Sequence, residues 1–186
     1  YNALGNPEYP LVEKKNTIMV NHSASPSGNH FFVLETLKNL ALQQQNYTVL
    51  LPLSYGDKAF ADKIVESAYT TLSCDIKTLR NFIPLGDYQQ ILSEVKIAIF
   101  GMKRQEAAGN IFQLLNMGAK VFLRKENTLL HWLRKRDFMV YSLEDDIEEL
   151  AQLTGLTDKQ IAHNRSCYTK TFNNTVYKEM MDKLLY

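Results

Sequence analysis

Several features that would indicate a particular class of protein are scarce in this 186-residue sequence. It contains two cysteines, Cys74 and Cys167, which are too few for a disulfide framework and fit a reducing compartment. The formal net charge is +1, so composition offers no electrostatic argument for a nucleic-acid surface. No apolar run approaches the roughly 18 residues that span a bilayer. An apolar content of 45% and a charged content of 22% are instead typical of a globular domain with a sizeable core.

Familiar catalytic motifs are also missing. The first predicted strand is not followed by G-x-G-x-x-G, and neither G-x-x-x-x-G-K-[ST] nor G-x-S-x-G occurs. These absences argue against a dinucleotide oxidoreductase, a P-loop enzyme and an α/β-hydrolase. The four histidines lie far apart in the chain, at His22, His30, His131 and His163. The acidic run 144–149 is best explained as a solvated helix start, where carboxylates favour the dipole.

The clearest pattern in the chain is a strand, a cationic turn, a helix and a second strand. Ile97–Phe100 is a short apolar run with the composition of a buried strand, and Lys103 and Arg104 follow it. Apolar residues recur at helical spacing over Gln105–Met117, and Lys120–Leu123 is another apolar run. This order predicts a βαβ unit.

Gly109 gives this unit a possible function. Glycine inside a helix costs roughly 1 kcal/mol relative to alanine. Here it lies near Asn110, with Lys103 and Arg104 before it. Free amides and the positive end of a helix dipole suit a diphosphate. The alternative from these residues alone is a surface helix whose glycine eases packing against a neighbour.

Strand and helix patterns alternate about six times, which predicts a doubly wound, Rossmann-like parallel sheet with helices on both faces. The predicted strands are Asn16–Asn21, Tyr47–Leu51, Leu79–Ile83, Ile97–Phe100, Lys120–Leu123 and Phe138–Tyr141. Helices are predicted at His30–Gln44, Asp87–Glu94, Gln105–Met117 and Glu126–Arg136. Two more are predicted from their first residues, one capped by Asp57 and one after Ser142. One or two further helices are predicted within Asp158–Leu185, with a break near Asn173 and Asn174. Ligands of such sheets bind beyond the carboxyl ends of the strands.

Four separated blocks carry a recognisable pattern, namely IMVNHSASPSGNH after the first strand, PLSYG after the second, KRQEAAGNIFQLLNMGAKVFL, and RKENTLLHWL. Taken together, these blocks resemble glycosyltransferase family 56. The resemblance covers about residues 17–146. That family transfers 4-acetamido-4,6-dideoxygalactose from its TDP-sugar to a lipid-linked saccharide in bacterial surface-polysaccharide synthesis.

The resemblance implies a domain organisation. Family members resemble two-domain GT-B enzymes, whose C-terminal domain binds the nucleotide-sugar donor. We therefore expect residues 1–15 to be a linker from an N-terminal domain, residues 16–155 to be the nucleotide-sugar-binding domain, and residues 156–186 to be a C-terminal helical tail. The N-terminal half would supply the acceptor site and the catalytic base, so this half is expected to bind donor without turning it over.

The resemblance also assigns roles to loop residues. Lys103 and Arg104 would neutralise the diphosphate. The amides near Gly109, with Asn110, would hold the distal phosphate or the sugar. The other expected donor-binding residues are Leu53, Ser54 and Tyr55 at the base, Ser23, Ser25, Asn29 and His30 near the phosphates or the transferred sugar, Gln105 beside the cations, and Glu126 and Asn127 at the sugar pocket.

No metal or cofactor is expected, because the resemblance implies a metal-independent transferase and the predicted loops hold no carboxylate pair or metal-ligand cluster. The expected partners are a TDP-sugar and a lipid-linked saccharide, and no nucleic acid. A lipid-linked acceptor implies work in the cytoplasm, at the cytoplasmic face of the inner membrane, with peripheral membrane association. The alternative function is a non-catalytic Rossmann-like module that binds a ligand or another protein.

Overall fold

The computed structural model describes residues 9–40, 42 and 46–172, and these residues build one parallel sheet flanked by helices. The strands are β1 (Lys15–Val20), β2 (Thr48–Pro52), β3 (Asp75–Leu79), β4 (Val95–Phe100), β5 (Lys120–Leu123) and β6 (Tyr141–Ser142). The α-helices are α1 (His30–Lys38), α2 (Lys58–Thr71), α3 (Leu85–Glu94), α4 (Ala108–Met117), α5 (Thr128–Arg134) and α6 (Asp158–Phe172). Short 3-10 helices cover Pro26–Gly28 and Leu150–Leu153.

The strand order is β3-β2-β1-β4-β5-β6, and every pair is parallel. This is the doubly wound order that the alternating pattern predicts, and the fold class is confirmed. The order reverses between β1 and β4, so the loops after these two strands leave the same edge toward opposite faces. A crevice forms at such a reversal, and ligands of this fold bind there.

The two faces of the sheet carry separate cores. Side chains alternate along β1, so that Ile18 and Val20 pack with α1 and α2, whereas Met19 packs with α3, α4, α5 and α6. All three are fully buried. Burial on both faces explains why the inner strands are continuous apolar runs rather than alternating ones.

Three sequence signals for helix ends are confirmed. The Asp57 carboxylate accepts the Phe60 N–H at 2.6 Å and caps α2. Gly118 ends α4 with a φ of 90°. The Gln160 side chain accepts the Thr157 N–H at 2.9 Å, and Thr157 Oγ1 accepts the Gln160 N–H at 3.4 Å, which together form a capping box before α6.

The predicted start of α4 is wrong by three residues. The helix begins at Ala108 rather than Gln105, because Ala107 has a left-handed φ of 56° and residues 103–107 form a loop. Gly109 therefore lies in the first turn of α4 rather than in its interior. The cost of a mid-helix glycine does not apply there.

The predicted third strand is also displaced. β3 covers Asp75–Leu79 instead of Leu79–Ile83, and it pairs with β2 from Thr48–Asp75 to Pro52–Leu79. β3 is an edge strand in which only Leu79 is buried and the other side chains are exposed or half-buried, so it lacks the apolar run of an inner strand. The last strand is likewise later and shorter than predicted, at Tyr141–Ser142.

The α-helix predicted after Ser142 does not form. Half of the predicted Ser142–Asp145 capping box forms, since Ser142 Oγ accepts the Asp145 N–H at 3.2 Å, but the Ser142 N–H donates to the Asp146 carboxylate at 2.7 Å instead of to Asp145. These bonds close a turn only, and a 3-10 helix follows at Leu150–Leu153. A local capping pattern cannot by itself propagate a helix when the following segment is held by tertiary contacts.

Some predicted segments lie partly or wholly outside the described residues. α1 ends at Lys38 rather than Gln44, and part of that predicted extension lies outside the described residues. Most of the predicted linker and the segment 173–186 also lie outside them. Within the described part, α6 packs into the core through Tyr168, which is fully buried. No helix in this part is long and apolar enough to cross a membrane.

Candidate functional site

The loops after β1 and β4 are tied together at the sheet reversal by two asparagines. Asn21 accepts the Gly101 N–H at 2.8 Å and donates to the Gly28 carbonyl at 2.9 Å. Asn29 donates to the Gly101 carbonyl at 2.9 Å. Both asparagines have left-handed backbones, with φ of 57° and 49°, which this residue type tolerates better than most. The edge of the crevice is therefore set by side-chain amides that satisfy loop backbone.

The loop after β2 is joined to the loop after β1 through backbone atoms. Ala24 N–H donates to the Tyr55 carbonyl at 2.7 Å, and Asp57 N–H donates to the Ala24 carbonyl at 3.1 Å. Gly56, between them, has a φ of 103°, and a Cβ there would lie 2.4 Å from the Ala24 oxygen. Only glycine fits this close approach.

Asn127 holds the loop that carries the two cations. Its amide nitrogen donates to the carbonyls of Met102 and Arg104, both at 2.9 Å. Its oxygen accepts the Leu129 N–H at 2.9 Å and caps α5. Because Asn127 is fully buried and uses all of these groups internally, it positions the loop rather than presenting a surface to a ligand.

A pocket of about 400 Å³ opens at this edge of the sheet. It has a polar side formed by loop residues and an apolar side formed by the segment before and within α3. The lining residues are His22, Ser23, Pro52, Ser54, Tyr55, Phe82, Ile83, Leu85, Tyr88 and Asn110.

The pocket brings together four of the predicted site residues, namely Ser23, Ser54, Tyr55 and Asn110, from the segments after β1, β2 and β4. Tyr55 is 61% exposed and therefore has a free ring face. They lie together because β2, β1 and β4 are adjacent in the sheet and their carboxyl ends face the same way.

The apolar lining of the pocket was not predicted from the sequence. Phe82 and Leu85 are 73% and 66% exposed, although residues of this size are usually covered. The available signal was the cluster of large apolar residues around Pro84, which the displaced β3 prediction had assigned partly to a strand. His22 was also missed, and its position next to the first strand was the only indication.

The amino end of α4 borders the pocket through Asn110. Ala107 has no side chain that could cap the helix, and the first bond of the helix is Ile111 N–H to the Ala107 carbonyl at 3.0 Å. The amides from Ala108 to Asn110 precede that bond, so they point along the axis with the positive end of the dipole. A Cβ built on Gly109 would meet nothing within 4 Å, so the backbone there is open to an approaching group.

The two predicted cations differ in their surroundings. Lys103 pairs with Glu126 at 3.1 Å, and both side chains are more than half exposed. Such an exposed pair contributes at most about 1 kcal/mol and exchanges readily. The exposed Arg104 guanidinium has no hydrogen bond or ion pair within the described residues. It is the cation available for an anionic ligand, and exposed Gln105 adjoins it.

Ser25 contributes to a hydrogen-bonded chain at the rim. Its hydroxyl lies 2.7 Å from that of Ser27, and Ser27 donates to the Glu106 carboxylate at 2.8 Å. This chain joins the loop after β1 to the residues just before α4.

His30 and Leu53 are buried rather than presented to the pocket. His30 is fully buried, and neither ring nitrogen has a hydrogen-bond partner among the described residues. Burial lowers the pKa of His30 to about 4, and the neighbouring His22 adds to this shift. Burial also lowers the pKa of His22, against the opposing effect of the Glu106 carboxylate. Both rings are therefore neutral near pH 7.

Comparison with known proteins gives one family. The model of the family described as 4-alpha-L-fucosyltransferase, glycosyl transferase group 56, matches residues 5–183.

Several solved structures are similar to this chain in fold, glycosyltransferases among them. The catalytic domain of cholesterol-alpha-glucosyltransferase from Helicobacter pylori is 11% identical, with a TM-score of 0.55, and the match covers 87% of this chain and 98% of that one. AviGT4, a glycosyltransferase involved in avilamycin A biosynthesis, is 9% identical, with a TM-score of 0.61 and coverage of 92% and 51%. The UDP-forming trehalose-phosphate synthase from Burkholderia vietnamiensis is 10% identical, with a TM-score of 0.57 and coverage of 92% and 45%. The chain thus spans about half the length of two of these proteins, and at such identities the likeness concerns the fold alone.

Proposed function

Because the chain belongs to glycosyl transferase group 56, and is a glycosyltransferase domain of GT-B type, we propose that its pocket binds a TDP-linked deoxyamino sugar as donor. The sugar is passed to a lipid-linked acceptor in bacterial surface-polysaccharide synthesis. The observation that carries the proposal is an aromatic-lined pocket at the sheet reversal that the open amino end of α4 borders through Asn110. The loop just before α4 carries Arg104, which is exposed and has no hydrogen bond or ion pair within the described residues. Family membership favours this role over a non-catalytic binding module.

The diphosphate is assigned to the amino end of α4. Its charge is met by the first-turn amides near Gly109, by the helix dipole and by Arg104, whose planar guanidinium can bind two phosphate oxygens at once. Lys103 joins them by exchanging its exposed pair with Glu126 for a phosphate. No metal ion is required in this scheme, because these groups already neutralise the two phosphates.

The base and sugar are assigned to the pocket and its rim. Thymine stacks on the exposed ring of Tyr55, with Phe82 as the second apolar surface. Ser23, Ser54 and Asn110 supply hydrogen bonds within the pocket. Glu126, once released from Lys103, accepts hydrogen bonds from hydroxyl or amide groups of the sugar.

In the chemical step the bond between the sugar and the diphosphate breaks, and negative charge grows on the departing phosphate. Arg104 and the α4 amides stabilise that charge where it develops, which is the preorganised electrostatic contribution common to transferases. The acceptor hydroxyl and its base are assigned to an N-terminal domain of the full-length enzyme. The acceptor's lipid implies peripheral association with the cytoplasmic face of the inner membrane.

The test is a calorimetric titration of the chain with TDP, UDP and GDP in the presence of chelator. We expect binding with a preference for TDP, and a rise in melting temperature that follows from linkage. Arg104→Ala should weaken binding by about 10-fold, as expected for one charge-assisted contact worth about 1.5–3 kcal/mol partly offset by exposure. Arg136→Ala is the matched control, since Arg136 stacks on Trp132 at the end of α5, away from the pocket. Equal affinities of both variants for TDP, or no binding of any nucleotide, would rule out the proposed site.

A further inference from the structure

Asp137, His163 and Cys167 lie close together at the amino ends of the strands, on the opposite side of the sheet from the strand ends that carry the pocket. α5 starts after the carboxyl end of β5 and ends near the amino end of β6, so the turn after it lies at the amino edge. His163 and Cys167 are four residues apart and share one face of α6. His163 Nε2 lies 3.5 Å from Cys167 Sγ and 3.3 Å from an Asp137 carboxylate oxygen. The three ligand atoms lie within 4.8 Å of one another.

The two separations from His163 Nε2 match edges of a zinc coordination tetrahedron, and the third, between Cys167 Sγ and the Asp137 carboxylate, is within 4.8 Å. With Zn–S of about 2.3 Å and Zn–N or Zn–O of about 2.0–2.1 Å, the S–N edge is about 3.5 Å and the N–O edge about 3.3 Å. The donor set of one thiolate, one imidazole and one carboxylate suits zinc rather than magnesium or calcium, which prefer oxygen ligands.

The surroundings leave an approach path. The Cys167 side chain is buried, whereas those of His163 and Asp137 are 39% and 85% exposed. An ion can therefore enter from solvent, and water can complete a fourth position. The turn is already held next to α6, since Asn164 accepts the Met139 N–H at 2.8 Å and donates to its carbonyl at 3.1 Å. The two elements that carry the ligand residues are thus held together without the ion.

Hydrogen bonds offer a competing explanation for the cluster. The Asp137 carbonyl lies 2.6 Å from His163 Nε2 and 3.5 Å from Cys167 Sγ, so both can donate to it. That arrangement needs no metal, and in it a single Nε2–H faces two oxygens, the Asp137 carbonyl at 2.6 Å and the Asp137 carboxylate at 3.3 Å.

We propose that Asp137, His163 and Cys167 bind a zinc-class divalent cation that links α6 to the turn after α5. On binding, the thiol proton is released to solvent, and His163 uses the Nε2 lone pair with its proton on Nδ1. The site is structural and separate from sugar transfer, so it does not depend on the donor-site assignment.

Cobalt is the probe, because cobalt–thiolate coordination gives a charge-transfer absorption that other ligands do not. The 186-residue chain is stripped with chelator, dialysed and titrated with Co²⁺, and metal content is measured independently. We expect one Co²⁺ per chain, a thiolate band that Zn²⁺ bleaches, and a higher melting temperature with metal.

Cys167→Ser should remove the band, and Cys74→Ser, which changes the other cysteine, should retain it. Asp137→Asn should weaken Co²⁺ binding by at least about 10-fold, and asparagine tolerates the left-handed φ of 64° at that exposed position, so the variant keeps its fold. A band that survives in Cys167→Ser, unchanged binding in Asp137→Asn, or no cobalt bound to the parent chain would overturn the proposal.

Discussion

The side chain of Asn21 accepts the backbone N–H of Gly101 at 2.8 Å and so joins the ends of β1 and β4. These strands are neighbours in the sheet but lie about 80 residues apart in the chain. The bond is buried, and the same amide also reaches Gly28. Asn21 therefore helps to determine, together with Asn29, how the two halves of the crevice face each other.

Replacing Asn21 should destabilise the fold. Asn21→Ala leaves a buried Gly101 N–H and a buried Gly28 carbonyl without partners, and each unsatisfied group costs about 1–3 kcal/mol. We expect the free energy of unfolding to fall by about 2–4 kcal/mol, measured by urea denaturation. Asn46→Ala is the control, because Asn46 has a similar left-handed φ of 52° but is exposed. Equal losses in both variants would show that backbone conformation alone, rather than the two bonds, explains the effect.

Gly101 should not accept a side chain. A Cβ would lie 2.3 Å from the Gly28 oxygen and 2.8 Å from Val33 Cγ2. Since the nearest atom is backbone, relief requires the loop to move, and Gly101→Ala should cost at least about 2 kcal/mol of unfolding free energy. Gly86→Ala in α3, where nothing lies within 4 Å, should instead stabilise by about 0.5 kcal/mol. Tolerance of Gly101→Ala in denaturant melts would contradict the close approach.

Gly109→Ala should separate stability from ligand binding. The space around its Cβ is open and the residue is in the first turn of α4, so the fold should keep its stability or gain up to about 1 kcal/mol. The added methyl projects beside the amides assigned to the diphosphate, so affinity for TDP should fall. The measurements are thermal melting and calorimetry on the same samples. Unaltered TDP affinity would mean that the phosphates bind elsewhere.

His30 should make stability depend on pH. Burial lowers its pKa to about 4, whereas an unfolded chain has a value near 6.5. The unfolded state therefore binds more protons between these pH values. The contribution of His30 to the unfolding free energy is fully present above about pH 6.5 and is lost as the pH falls toward 4. The loss from this group is on the order of 3 kcal/mol.

His30→Leu removes the titration, so the unfolding free energy of the parent minus that of the variant should fall on acidification. Carboxylates titrate in both proteins and cancel in that difference, which includes the coupling between His22 and His30. His131→Gln is the control at an exposed site. A parent–variant difference that stays constant from pH 7 to pH 4.5 would show that His30 is not titrating as its burial implies.

Much of the fold could be predicted because it depends on local patterns. β5 was predicted to the residue, since Lys120–Leu123 is bounded by Gly118 and by the polar residues after it. β3 was misplaced because an edge strand buries little and leaves no apolar run. The start of α4 was misplaced because the preceding loop is held by Asn127, a partner more than 20 residues away.

The site residues show the same division. Strand order brought Ser23, Ser54, Tyr55 and Asn110 around one pocket. His30 and Asn127 lie in the predicted loops, but their burial follows from packing that no local pattern records. Whether each predicted residue contacts a donor stays a prediction.

The sequence alone determined the alternation of strands and helices, the caps at Asp57, Gly118 and Thr157, and the cations before α4, because each depends on residues within a few positions. Only the tertiary structure decided that Asn21 and Asn127 clamp the loops, that Lys103 is paired while Arg104 is free within the described residues, and that Phe82 walls the pocket. These features depend on contacts between distant segments, and such contacts exist only once the sheet has brought the loops together. Of the two adjacent cations in the sequence, Arg104 is thus the one available to a ligand, and Gly109 lies in the open first turn of the helix that follows it.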